Sequence, residues 1–304
     1  MFMLFSYLLR AWRRRRQGTE AAQGTDAPAA RRPTGPTGPT PASRGPLALL
    51  FHEARFDTLA SMRNPRARFF TFMFPILIMV IFSSVFGHDK TTLVDGTRVT
   101  LAHFFVGGIM AMSVIVSAYA GLVITITTAR ASGVLKRRRA TPVPPGIIIG
   151  GQALSTLVTA AMTSTLLLLL ARVFYGVGLS VGSLAALAVV ITVGTLSFAC
   201  VGYAVAGLIG SPDAAQPIVQ ATMFPLYFIS GVWIPTSSLS PTLRHIAEVF
   251  PVEHLAAALH LATVRGSFTA ALSPTDLIVM AAWAVGAGLF AVRRFSWLPA
   301  TATA

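Results

Sequence analysis

His245, Glu248, Glu253, His254 and His260 crowd one short stretch of this 304-residue chain, and they are its best candidates for acid–base chemistry. Imidazoles beside carboxylates can shuttle protons or hold a metal, but the spacing matches neither H-E-x-x-H nor a paired metal-ligand pattern. Prolines at 241 and 251 divide the stretch into two helical segments, on which these side chains are expected to form a polar face. Phosphate chemistry of the Walker kind needs a lysine directly after a glycine. The only lysines, Lys90 and Lys136, follow Asp89 and Leu135, so the chain is expected to bind no nucleotide, cofactor or metal by itself. Cys200, the single cysteine, sits inside an apolar run; this excludes an intramolecular disulfide and a Cys-pair metal site.

Positive charge gathers elsewhere. Ala129 to Gly146 reads A-R-A-S-G-V-L-K-R-R-R-A-T-P-V-P-P-G, with Arg130, Lys136, Arg137, Arg138 and Arg139 and no acidic neighbour. The apolar runs on either side, 101–128 and 147–171, carry no acidic or strongly basic residue. Each can cross a bilayer, since about 20 helical residues span roughly 30 Å of hydrocarbon. The positive-inside bias puts this loop in the cytoplasm. Within it Ser132 is expected to cap a short helix over 133–140, which Pro142 stops, while Pro144 and Pro145 stiffen the return to the membrane.

The elements that must hold these groups are helices in lipid. The chain is 54% hydrophobic and only 11% charged, where a soluble domain has about a quarter charged residues. Six spans are expected, near 69–86, 101–128, 147–174, 184–209, 217–233 and 277–292, with both termini cytoplasmic. That topology leaves the surplus of +14 on the inner side, an orientation signal and not a nucleic-acid footprint. Residues 1–46 form a basic, Pro/Gly-rich extension, and 295–304 a short tail. Over 47–62 an apolar stripe (Leu47, Leu50, Phe51, Ala54, Phe56, Leu59) opposes Glu53, Arg55 and Asp57, as in an amphipathic helix on the inner membrane surface.

Between the first two spans, 87–100 reads as a polar external loop. The segment 234–275 is too broken by proline to span and too apolar for a loop, so two amphipathic helices re-entering the outer leaflet are expected. In the second span Ser113, Ser117, Gly121 and Thr125 recur every four residues, a small face suited to close helix packing. No span carries an acid in its interior, which disfavours an ion-coupled carrier.

Three stretches resemble the membrane subunits of bacterial type 2 ATP-binding-cassette exporters of the daunorubicin-resistance and polysaccharide-export kind. They are R-N-P-R-A-R-F-F-T-F-M-F-P (63–75), G-V-L-K-R-R-R-A-T-P (133–142), and F-I-S-G-V-W-I-P-T-S-S-L-S-P (228–241) followed by I-A-E-V-F-P-V-E-H-L (246–255). The resemblance covers about 47–294 and implies an all-α permease of the bacterial inner membrane that dimerises, as a homodimer or with a homologous permease. A separate cytoplasmic ATPase would bind the ATP and Mg. The implied docking residues are Glu53, Arg55, Gly133, Leu135, Arg137, Arg138, Arg139 and Pro142. Ser113, Ser117, Thr125, Gln220 and Tyr227 are the positions the resemblance places along the path for a drug, a lipid or a lipid-linked glycan. The alternatives are an integral membrane enzyme, which would need Ser/His or acidic groups converging at membrane depth, and a non-transporting scaffold or immunity protein. A neighbouring reading frame for a Walker-containing ATPase separates these readings.

Overall fold

The computed structural model describes residues 45–87, 89–93, 96–139, 143–178 and 180–294. The extension up to residue 44, Pro142 and the tail 295–304 lie outside them. The described chain is almost entirely helical. Five helical stretches are long and apolar enough to cross a membrane: Phe69–Phe86, Leu101–Ala131, Gly146–Tyr175, Val181–Leu208 and Pro274–Arg293. Their backbone polar groups are satisfied within each helix, as a hydrocarbon solvent demands.

The chain opens with α1 (Pro46–Arg63), which packs along α6 (Pro145–Tyr175). The first span begins with a wide π-turn, Phe69–Met73, and continues as α2 (Phe74–Phe86). Pro75 comes directly after, so the i→i−5 bond from Phe74 N–H to the Phe69 carbonyl absorbs the strain that a proline imposes on the preceding turn. The expected polar loop after it holds a hairpin, β1 (Lys90–Thr92) against β2 (Arg98–Thr100), paired antiparallel.

Thr100 caps α3 (Leu101–Ile115), accepting from His103 N–H, and its hydroxyl lies 2.8 Å from His103 Nδ1. A π-turn at Val116–Ala120 joins α3 to α4 (Gly121–Ala131). The short α5 (Val134–Arg139) leads into α6, and α7 (Val181–Leu208) comes next. The second span is the axis of the fold, two-thirds buried, whereas the first and last are mostly exposed. Leu77, Ile81 and Val85 of α2 face outward, as do Ile278, Val285 and Leu289 of α12 (Pro274–Arg294), as expected of helices solvated by lipid.

The expected fifth span falls on α8 (Pro212–Ile229), 18 residues long with Pro217 and Pro225 inside it. Asp213, Gln216 and Gln220 dilute its apolar content, and it is not among the five. Two short helices, α9 (Pro241–Ala247) and α10 (Pro251–Val264), then α11 (Phe268–Ala271), precede α12. The expected pair of short helices before the last span is present, but only α9 keeps a largely exposed surface. α10 is buried on nearly every side, against α3 and α7. Glycines on those partners make the close approach possible: a Cβ at Gly107 would lie 2.4 Å from His260, and one at Gly194 would lie 2.5 Å from Leu255.

Candidate functional site

At one end of the spans, α1 and α5 are tied together. Arg138 donates to Glu53 at 3.3 Å and to Asp57 at 3.1 Å. The sequence period puts Glu53 and Asp57 on the face away from the apolar stripe, but Glu53 packs on α6 beside Leu50, Ala54 and Thr58, and Asp57 turns to Arg138. The reason lies in α6. A Cβ at Gly151 would meet Glu53 Cβ at 2.7 Å, and Thr58 hydrogen-bonds Ser155 at 2.8 Å, so glycine and serine on α6 accept the half-polar side of α1. Phe51, Phe56, Leu59 and Arg55 stay exposed.

The loop between the spans is built differently from the sequence expectation. Ser132 does not cap α5; its hydroxyl donates back to the Thr128 carbonyl at 2.9 Å, and it ends α4. Gly133 then turns the chain with φ +70, which suits glycine because a Cβ is disfavoured there. α5 carries Leu135 inward, 7% exposed, and Arg137 outward. Arg139 closes α5. Arg130 does not share the solvent-facing cluster. It is buried, donating to the Ala206 carbonyl, and so joins α4 to α7.

The residues expected along a path do not share one wall. Ser113 and Ser117 are buried and donate to their own helix, at Ile109 and Ser113 carbonyls. Tyr227 is buried, while Thr125 and Gln220 are exposed. The π-turn at 116–120 explains the split: its extra residue rotates the rest of the span by about 100°, so the four-residue repeat leaves its face after Ser117. That turn is also a junction. Gly202 of α7 would place a Cβ 3.2 Å from the Ala118 carbonyl, and Tyr119 OH lies 2.8 Å from Thr222 of α8. Sequence reading missed Tyr119 and Thr222, because a π-turn leaves no mark in a hydrophobic pattern. On α8 the residues Gln216, Gln220, Phe224 and Phe228, four apart, all point outward.

At the other end of the spans the expected polar face is split, with His245 and Glu248 exposed and the other three side chains turned inward. Glu253 and His254 are each 7% exposed and His260 is 6%. His260 Nε2 donates to the Phe104 carbonyl at 2.9 Å, its ring stacked on Phe104, and burial lowers its pKa to about 4. His254 has an acceptor at each nitrogen: the Glu248 carbonyl 2.8 Å from Nε2 and Asp276 Oδ1 2.7 Å from Nδ1. A carbonyl only accepts, so Nε2 carries a proton, and a second proton on Nδ1 facing Asp276 makes the ring a cation. Burial alone would lower its pKa; the Asp276 and Glu248 hydrogen bonds, with the charges of Glu253 and Asp276, outweigh this and raise it. For Glu253, burial raises the pKa and is opposed by His254, with Asp276 and Glu248 adding to the rise.

One ligand atom each of Glu253, His254 and Asp276 fits within 4.8 Å, the spacing of a metal site. In the doubly protonated form His254 offers no lone pair, so a metal would have to displace its Nδ1 proton.

The ABC-2 type transporter membrane family matches residues 52–262, from within α1 through most of α10. The chain belongs to the ABC-2 type transporter family. No curated protein matches it. As a member of that family it is a multi-pass transport protein, an ABC transporter permease subunit. Glu53, Asp57 and α5, the π-turn junction and all but the last two residues of α10 fall within the matched residues, and α12 falls outside them.

Proposed function

We propose that this ABC-2 protein is the membrane-spanning half of an ATP-driven exporter, acting with a separate cytoplasmic ATPase and a second permease, in the simplest case a copy of itself. α8 completes six spans, and the basic end, with both termini, faces the cytoplasm of a bacterial cell bound by this inner membrane. The observation that carries the reading is the Arg138 bridge, which makes α1 and α5 one body at the basic end. A push on either helix reaches α6 through the α1 contact and α4 through Gly133. The ATPase docks on the exposed Arg55 and Arg137, together with Gly133, Arg139 and Pro142, while Glu53, Leu135 and Arg138 hold the shape of the platform. ATP and Mg stay on the partner.

Cargo, a hydrophobic drug, a lipid or a lipid-linked glycan, moves outward along α4 and α8. Gln220 and Thr125 meet it from exposed positions, and Ser113, Ser117 and Tyr227 lie within the subunit. Two glutamines turned toward lipid would leave amide groups unsatisfied, so the α8 stripe belongs against a partner or a hydrated path. Co-purification of the ATPase with Arg137→Glu tests the docking, with membrane insertion measured alongside. Loss of the ATPase from an inserted variant is expected; full retention with unchanged export would overturn the role.

A further inference from the structure

A cavity of about 350 Å³ opens at the end of the spans away from α5. Its walls come from β1, the start of α3, the turn after α8, α10 and the start of α12. Phe104, Leu93, Pro235 and Leu261 supply apolar surface, and three acids, Glu248, Glu253 and Asp276, line it with His254. Ser230 lines it too. That side chain is fully buried and its hydroxyl has no hydrogen-bond partner among the described residues. A buried hydroxyl left unbonded costs about 1–3 kcal/mol, so a water or a ligand group reaching it from the cavity would be stabilised there.

Charge decides the class of ligand. His254 is satisfied within the protein, and its Nδ1 proton is directed to Asp276 at 2.7 Å. Glu253 is only the second acceptor of that proton, at 3.5 Å, and it is 7% exposed. One imidazolium therefore answers three carboxylates, and the wall is short of positive charge. The surplus of carboxylates disfavours an anion, and a cation beside Glu253 offsets the burial that otherwise pushes its carboxyl toward the neutral form. A bare metal ion would have to expel the proton that holds His254 between Asp276 and Glu248. A volume of this size instead suits a small organic molecule resting on apolar walls.

We propose that this cavity binds a protonated primary amine, with Glu253 as its counter-ion and Ser230 as a hydrogen-bond partner. The site does not depend on the transport reading. It lies at the opposite end of the fold from the platform, and its test is read by binding alone. A free amine and the ammonium of an ethanolamine lipid headgroup share this chemistry, so the experiment separates the two.

The test uses the full chain in nanodiscs of phosphatidylglycerol, titrated calorimetrically with phenethylammonium, and with 2-phenylethanol and phenylacetate as neutral and anionic counterparts. The ammonium is expected to bind, the other two not, and Glu253→Gln to weaken binding about tenfold or more. Ser230→Ala, which removes no charge, is expected to weaken it severalfold and serves as the second variant if Glu253→Gln fails to fold. Nanodiscs containing phosphatidylethanolamine would suppress the titration if the lipid headgroup is the occupant and leave it unchanged if the amine is soluble. Equal binding of all three probes, no binding of the ammonium, or displacement of the ammonium by zinc chloride in the wild type would each overturn the proposal.

Discussion

Arg138 Nη2 stands 3.1 Å from Asp57 Oδ1, although 81 positions separate the two residues in the chain. The same guanidinium reaches Glu53 at 3.3 Å, so a single arginine spans two carboxylates one turn apart on α1. Neither carboxylate is fully exposed. The fork of guanidinium donors suits such double recognition, which a lysine could not reproduce.

Arg138→Gln is therefore expected to free α1 from α5 without unfolding the spans. Partly exposed ion pairs contribute about 1 kcal/mol or less each, so thermal unfolding in detergent should shift only slightly. Limited proteolysis within residues 46–63 should accelerate, because the helix loses a tether. A protease pattern identical to the wild type would show that the α6 contact alone holds α1.

Gly108→Ala should be far more damaging. Its Cβ would sit 2.2 Å from the Val232 carbonyl oxygen, a backbone atom that cannot rotate away. Forced repacking of a close contact costs about 1–3 kcal/mol, and more where backbone must move. A lower melting temperature and reduced yield of monodisperse protein are the expected readouts. Gly146→Ala, at a position with nothing within 4 Å, is the control and should be silent apart from a small change in helix propensity.

Tyr119→Phe removes the hydroxyl that meets Thr222 at 2.8 Å while leaving the ring in the core. The expected loss is about 1 kcal/mol, confined to the junction between the π-turn and α8. Cysteine accessibility at Gln220 is the measurement: labelling should become faster in the variant. Unchanged labelling with unchanged stability would mean that the bond contributes nothing.

Stability should fall at both ends of the pH range, for opposite reasons. His254 has a raised pKa in the fold, so its contribution is complete below the unfolded value of about 6.5 and is lost as pH rises through the folded value. His260 is held neutral, with a folded pKa of about 4 against 6.5 unfolded. The unfolded chain takes up that proton first, so stability drops as pH falls from about 6.5 toward 4. Melting curves in detergent across this range should show a maximum near neutrality. His254→Gln should flatten the alkaline limb only, and a variant that flattens neither limb would count against the ion pair with Asp276.

The membrane nature of the chain and five of its spans are legible in residues 69–86, 101–131, 146–175, 181–208 and 274–293, because uninterrupted apolar length is a one-dimensional property. So is a short helix ending near Arg139, between a glycine turn and the prolines. Ser132 misleads because a serine between two helices looks the same whether it caps the second or closes the first, and only the backbone angle of Gly133 decides. The face of α1 misleads because periodicity separates polar from apolar without saying that a partner helix carries Gly151 and Ser155 to receive the polar half.

Sequence alone determined what this protein dissolves in, which loop carries its charge and which family it resembles, since those depend on composition, order and local spacing. Tertiary structure decided where the charges go: Arg130 and Arg138 look alike in the chain, yet one is buried against the Ala206 carbonyl and the other bridges to α1. It also turned His254 and Glu253 from an outer face into the lining of a cavity, because only packing brings Asp276 and the Glu248 carbonyl to one imidazole. Burial and partners set the charge state of a side chain, and both are properties of three-dimensional contact that no run of letters contains.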